Sequence, residues 1–417
     1  MSFQNHSHRF AFTLVELLVA MVIAGILGSM VAIALQGAQR QAQDTRAQAM
    51  IDRLNISMLR LYEEESFARV NLPAGYASIQ TRSLADLMWK RDWLRCAFPN
   101  SRQDISQGPA RIPYPLAPMG SGVWSYLDDG GRSTAGVSTL PVAVPGITSG
   151  TTTSSKRAGQ LLRLRQRIAR TIGAAQGVTV STYAQLVDGN AANGEWTTEN
   201  QSSECLYLIL STNTLNGVPA TDALRTRDVG DTDEDGMPEV LDSWGVPVGF
   251  MRWPCGFLLT DEWGVFNEDP ASTVTRAQWD WVNARKVALG RDTLDVLNVD
   301  PRYTDNATLP PLVNGRAEDP FPLIPMIISA GNDGDFDLFG LDDDGTGLPL
   351  ISYATATNGW PSSSPSSTTP AGFPGAVTFV DPYLDGSQIS SKLGARGDAN
   401  GDGDDESADN IYPSLSF

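Results

Sequence analysis

Residues 12–35 form an almost wholly apolar run that contains one acidic residue, Glu16, at its fifth position. As a helix, the run of about 24 residues extends roughly 36 Å, enough to cross a bilayer core of about 30 Å. A carboxylate inside such a span costs roughly 2.5 kcal/mol or more unless it is paired or reaches the interface. No Lys or Arg lies between residues 12 and 39, so the run supplies no cation of its own. A counter-charge must come from another molecule, or from a new amino terminus made by cutting the chain.

Phe12-Thr13-Leu14-Val15-Glu16 resembles the amino-terminal signature of type IV pilins and type II secretion pseudopilins. In that family a short polar leader is followed by a cut and then by Phe-Thr-Leu-x-Glu. The resemblance implies a leader over residues 1–11, a cut between Ala11 and Phe12, and a methylated Phe12 with Glu16 as fifth mature residue. It implies Phe12 and Glu16 as the assembly residues. The family usually has Gly before the cut, where this chain has Ala11. The implied partners are prepilin peptidase, other pilin or pseudopilin subunits, and the inner membrane. The chain would cross that membrane once with its head in the periplasm, and then join a periplasmic or cell-surface filament.

The competing reading is an ordinary secretory signal, with Ala32-Ile33-Ala34 as an A-x-A-like cleavage site. The apolar stretch before that site, about 22 residues, exceeds the usual 7–15, and a carboxylate is poorly placed within it. Arg9 in the leader, beside His6 and His8, favours an amino terminus left in the cytoplasm.

From residue 36 to Glu65 the chain has no proline and is rich in Ala, Gln, Arg, Met and Leu, all good helix formers. Met50, Leu54, Met58, Leu61 and Tyr62 fall on a stripe of helical period. A transmembrane and spine helix over residues 12–65 would be roughly 80 Å long, its front half in lipid and its rear half under a head formed by residues 66–417. That order matches the family architecture. The fold expected is α+β and pilin-like, a long amino-terminal helix packed on an antiparallel β-sheet head with large loop-rich insertions.

Within the head, a short helix is expected over residues 83–94 and a Ser/Thr/Gly linker over 148–155. Residues 156–175 read as an amphipathic helix, with Lys156, Arg163, Arg167 and Arg170 on one face and Leu161, Leu164, Ile168 and Ile172 on another. The basic face is either solvated or a dock for an acidic neighbour or lipid head groups. Residues 204–210 suit a helix or a buried strand, while 245–260 and 323–329 look like strands. A helix is expected over 275–289 and an exposed loop over 360–374.

Two compositional facts narrow the function. The net charge is −18, which argues against nucleic-acid binding, since that normally needs a basic face. Both histidines lie in the implied leader, so the mature chain would have none. That removes Ser-His-Asp and Cys-His catalysis and His-ligated zinc. Carboxylate-only glycoside hydrolysis stays formally open, and the chain is read as a non-enzyme. The three cysteines, Cys96, Cys205 and Cys255, show no metal-site spacing and allow one disulfide with one thiol left over.

Eighteen of the 48 carboxylates fall in three windows without Lys or Arg: 231–242, 333–344 and 398–409. At that density, self-repulsion calls for a counter-ion or full exposure. The first window has Asp231, Asp233 and Asp235 at positions one, three and five, Gly236 at six and Asp242 at twelve. This is the spacing of an EF-hand-type Ca²⁺ loop, in which alternate oxygens converge on one ion and the glycine permits the turn. The last window repeats it with Asp398, Asn400 and Asp402, then Gly403 and Asp409, similar to a dockerin-type half-loop. Each window is otherwise a solvated acidic turn.

The middle window follows Ser329-Ala330-Gly331-Asn332-Asp333-Gly334, which resembles the strand end where major pseudopilins enter their calcium loop. The resemblance implies Asp333 as a ligand, with closure from Asp342–Asp344 or from Asp409-Asn410-Ile411. Asp242-Ser243-Trp244-Gly245-Val246-Pro247 resembles the Asp-Pro-Trp-Gly-Asn-Pro turn of the same proteins.

The expected function is a structural subunit, minor or large pseudopilin in size, of a type II secretion pseudopilus or type IV pilus-like filament, with structural Ca²⁺. The alternative is a secreted calcium-stabilised adhesion or carbohydrate-binding module with a cleavable signal peptide.

Overall fold

The computed structural model describes residues 14–68, 70, 79–106, 112–115, 124–127, 133–134, 156–176, 196–260, 292–297, 299, 322–338, 340–341, 352–356, 377–382 and 409–414. The expected linker 148–155, helix 275–289 and loop 360–374 lie outside them.

The chain opens with one continuous helix, α1, Leu14–Ser66. Among the described residues it is the one helix long and apolar enough to cross a membrane, and none of its apolar window is buried. Every large hydrophobic from Leu14 to Leu35 is at least 48% exposed. A soluble surface rarely presents an apolar patch of this size, so the front of α1 is built to be covered by lipid or by other helices. The rear half behaves differently. Ala47, Met50, Ile51, Leu54, Met58, Leu61 and Tyr62 recur every three or four residues and are buried against the head. The helix therefore changes solvent along its length: apolar all round in front, one-sided behind.

The head is α+β. Helices α2 (Ile79–Ala97), α3 (Arg102–Ser106), α4 (Lys156–Gln176), α5 (Gln201–Thr212) and α6 (Cys255–Thr260) are interleaved with short antiparallel sheets. Strands β1 (Ile112–Pro115), β2 (Trp124–Leu127) and β3 (Ser133–Thr134) form a three-stranded sheet. Four more strand pairs among the described residues form ladders of two to five residues: β4 (Thr214–Leu215) with β5 (Val218–Pro219), β6 (Val229–Gly230) with β7 (Glu239–Val240), β8 (Gly249–Met251) with β9 (Met326–Ile328), and β10 (Ser352–Ala356) with β11 (Val377–Asp381). The expectation of strand over 245–260 is corrected. Within it residues 249–251 form a strand and Pro247 makes an isolated bridge to Leu241, and the chain turns at Trp253-Pro254 into α6, because Pro254 has no N–H to extend a ladder.

Two apolar clusters share α5. Leu206, Ile209 and Leu210 join the rear of α1, Trp93, Leu94 and Phe98 of the α2 end, Phe250 and Met251 of β8, and Ile327 and Ile328 of β9. Cys205 and Leu208, on the other side of α5, join Leu161, Leu164, Ile168 and Ile172 of α4, with Cys96, Ile105, Trp196 and Met237. A helix sandwiched this way is apolar around its circumference, which is why residues 204–210 give no one-sided pattern. All three cysteines are buried, and none is in a disulfide. Tyr62 ties α1 to the head in a polar chain: Trp253 Nε1 donates to its hydroxyl at 3.0 Å, and the hydroxyl donates to the Leu323 carbonyl at 3.3 Å.

Arginines are buried in this core with carboxylate partners. Asp92 binds Arg95 at 2.9 Å and Arg157 at 2.6 Å, Asp292 binds Arg91 at 3.2 Å, and Asp104 binds Arg252 at 2.8 Å. Arg165 of α4 donates to the Ile105 carbonyl. The apolar face expected on α4 is buried as a set, and Lys156, Arg163 and Arg170 are exposed, with Arg167 half-buried. Arg157 and Arg165 leave the solvent entirely.

Candidate functional site

Glu16 lies in the first turn of α1 on the fully exposed apolar segment. An acidic residue there complements the positive end of the helix dipole. Around Gly25 and Gly28 an added Cβ would meet nothing within 4 Å, so this surface is open for another helix to approach. Ala11 and Phe12 lie outside the described residues.

The 231–239 loop joins β6 to β7. Its carboxylates fold back on its own backbone: Asp231 Oδ2 accepts from Gly236 N at 3.1 Å, Asp233 Oδ1 from Asp235 N at 3.3 Å and Asp235 Oδ1 from Met237 N at 2.7 Å. Gly236 has φ 93°, a conformation that L side chains rarely adopt. Glu239 closes the loop from β7, accepting from Thr232 N at 2.7 Å and Thr232 Oγ1 at 3.0 Å. The segment before α5 lies across the loop. Thr197 N donates to Asp235 Oδ2 at 2.6 Å, and Thr197 Oγ1 to Asp233 Oδ2 at 2.7 Å.

Two carboxylate groups result. Oxygens of Asp231, Asp233 and Glu239 lie within 4.8 Å of one another, and so do oxygens of Glu204, Asp233 and Asp235. Each group offers oxygen ligands only, the donor set of a hard cation such as Ca²⁺. The electrostatics run one way. Burial pushes the Asp235 carboxyl up to about 6, and Asp233 and Asp231 add to it. Burial likewise raises Asp231 and Glu239. Glu204 is held well above its ordinary range by burial and then by Asp235.

Asp242, expected at the twelfth position, belongs to neither group. Its Oδ1 accepts from Trp244 N at 2.8 Å and Val246 N at 3.0 Å, and its Oδ2 accepts from Ser329 Oγ at 2.7 Å. It anchors the turn through Trp244 and Gly245 to the end of β9. Glu239 and Glu204 take the places nearer the other carboxylates. Sequence spacing missed both. Glu239 falls at position nine of the loop, which often acts through water. Glu204 comes from another element, and the only signal it gave was a carboxylate heading an apolar run.

The second window is partly described. Ser329 and Ile411 form an antiparallel bridge with backbone hydrogen bonds of 3.1 and 2.9 Å, and Asn410 Nδ2 donates to the Phe336 carbonyl at 2.6 Å. This brings Asp409 to Asp333. The Asp409 carboxyl is pushed up to about 6 by burial and by the hydrogen-bonded Asp333 carboxylate. Gly331, at φ 83°, passes so close that an added Cβ would sit 2.7 Å from the Asp409 carbonyl oxygen. The 409–411 segment thus meets the end of β9. Asp342–Asp344 lie outside the described residues, as do Asp398, Asn400 and Asp402.

Compared with known proteins, residues 6–32 match the family model of the prokaryotic N-terminal methylation motif. No curated protein and no solved structure matches the chain.

Proposed function

We propose that this chain, which carries the prokaryotic N-terminal methylation motif at residues 6–32, is a structural subunit of a type II secretion pseudopilus or type IV pilus-like filament. Prepilin peptidase cuts it between Ala11 and Phe12. The front of α1 holds it in the inner membrane with the head in the periplasm, and the same surface then packs against other subunits. The head, much larger than the helix it rides on, suits a minor or large pseudopilin with a structural rather than an enzymatic role.

One observation carries this reading: the methylation motif coincides with the start of a helix that is bare for its first half and embedded in the head for its second. A cleavable secretory signal would be discarded with the bare half. Here the helix runs unbroken through Ala32-Ile33-Ala34 to the residues that form the core of the head, which favours retention of the whole element.

Replacing Ala11 with a bulky residue, Ala11→Trp, tests the processing step. Coexpressed with a prepilin peptidase, the variant is expected to accumulate as an uncut, membrane-bound precursor, seen as a larger species by immunoblot and intact mass. Maturation at the wild-type rate would count against the assigned cut.

A further inference from the structure

We infer that Glu204 of α5 binds a calcium ion together with Asp233 and Asp235, so that one cation ties the 231–239 loop to the helix at the centre of the head. This is independent of how the amino terminus is processed.

The loop carboxylates alone would not establish an ion, because acidic turns satisfy themselves with their own backbone N–H groups. Glu204 is different. It is fully buried, and it reaches the cluster from a helix that the loop does not contain. Its Oε2 accepts a hydrogen bond from Trp196 Nε1. Its Oε1 is buried with no hydrogen-bond partner, and a carboxylate oxygen of this residue lies within 4.8 Å of oxygens of both Asp233 and Asp235. A buried oxygen left in this state costs on the order of 1–3 kcal/mol, more when charged. The cost is usually met by a partner, and the nearby carboxylates are themselves anions: Asp235, Asp233 and Glu239 all act on Glu204 in the same unfavourable direction. The indole N–H and the N-terminal end of α5, where Glu204 sits in the first turn, relieve part of this.

A divalent cation accounts for the whole arrangement. It gives Oε1 a partner, turns the mutual repulsion of three carboxylates into attraction, and explains a fully buried glutamate at the start of the apolar stretch of α5. All-oxygen coordination from side chains on two elements is the style of Ca²⁺ rather than Mg²⁺, which keeps several waters and tolerates little distortion. The neighbouring group of Asp231 and Glu239 shares Asp233 with the site, so it screens or extends the ligand shell without being needed to define it.

The test uses the full chain in detergent, stripped with chelator and titrated with Ca²⁺ alone, followed by calorimetric binding and by melting temperature. Wild type is expected to bind saturably and to melt higher in Ca²⁺. Glu204→Gln keeps the shape and removes the charge, and should weaken that binding by at least the roughly tenfold that loss of even a supporting group costs a metal site. The two states move in opposite senses: without Ca²⁺ the variant melts at or above wild type, because repulsion is relieved, and with Ca²⁺ it melts below. Subtracting the variant from wild type isolates this site from whatever the other acidic windows bind. Three results would overturn the assignment. One is a wild-type melting curve indifferent to millimolar Ca²⁺. Another is equal Ca²⁺ affinity in wild type and Glu204→Gln. The third is a variant that melts lower by the same amount with and without the ion, which would make Glu204 a buried structural acid.

Discussion

Glu16→Ala is expected to enter the membrane normally and to fail in assembly. Insertion should not suffer, since removing a carboxylate from an apolar span relieves a cost of roughly 2.5 kcal/mol or more. Assembly depends on the converse. The front of α1 is exposed at every large hydrophobic between Leu14 and Leu35, so in a filament it becomes the interior of a helix bundle, where a charge needs a partner. Under the proposed processing, the methylated amino group of Phe12 on a neighbouring subunit would be that cation. Deleting one member of a buried pair leaves the other uncompensated, at about 3–5 kcal/mol. That corresponds to about 10²- to several 10³-fold in an association constant. The fraction of chain recovered in sheared filaments, against the fraction left in the inner membrane, measures the effect. Glu16→Gln, which keeps the shape, should fail almost as badly. Incorporation of Glu16→Ala at the wild-type level would remove the carboxylate from the assembly mechanism.

The second large effect belongs to the head. Asp104→Ala should lower its stability by about 3–5 kcal/mol, because it leaves a buried guanidinium without its counter-ion. Arg252 Nη1 donates to Asp104 Oδ2 at 2.8 Å, and Asn100 N donates to the same oxygen at 3.0 Å. Both charged side chains are within 1% of complete burial. Burial still pushes the Asp104 carboxyl above its ordinary value, although Arg252 and Arg95 pull it back. The attraction therefore does not fully repay the loss of water, and the double variant Asp104→Ala/Arg252→Met should recover much of the stability lost by the single one. Denaturant midpoints of wild type, both single variants and the double variant form the cycle. A double variant as unstable as Asp104→Ala would show that Arg252 acts through other contacts, such as its hydrogen bond to the Phe98 carbonyl.

Residues whose environment is set within their own helix were readable from the sequence. The stripe Met50, Leu54, Met58, Leu61 and Tyr62 is buried, and so is the Leu161, Leu164, Ile168, Ile172 face of α4, because helical period alone places them on one side. A helix was expected over 83–94, and α2 includes that stretch. Groups whose partners are distant in sequence were not readable. Arg157 and Arg252 look like surface charges until Asp92 and Asp104 are brought to them. Helical period places Lys156, Arg163, Arg167 and Arg170 on one face, three of them exposed and Arg167 half-buried, but nothing in that pattern distinguishes Arg157 or Arg165 as buried. The acidic loop shows the same limit. Its EF-hand-like spacing selected Asp231, Asp233 and Asp235, all of which lie near one another, and also Asp242, whose oxygens serve a turn and Ser329 instead. Glu204 joins through tertiary packing of α5, which no loop template contains. The strand expected over 245–260 failed at Pro254, a local signal outweighed by the apolar run around it.

The filament reading turns on the mature amino terminus, which intact mass and amino-terminal sequencing of the full chain, expressed with a prepilin peptidase, determine directly. N-methyl-Phe12 as the first residue is the expected result. A chain beginning at Leu35, after the Ala32-Ile33-Ala34 site, would contradict it and favour a secreted module. A chain that keeps Met1 under the same conditions would contradict it as well.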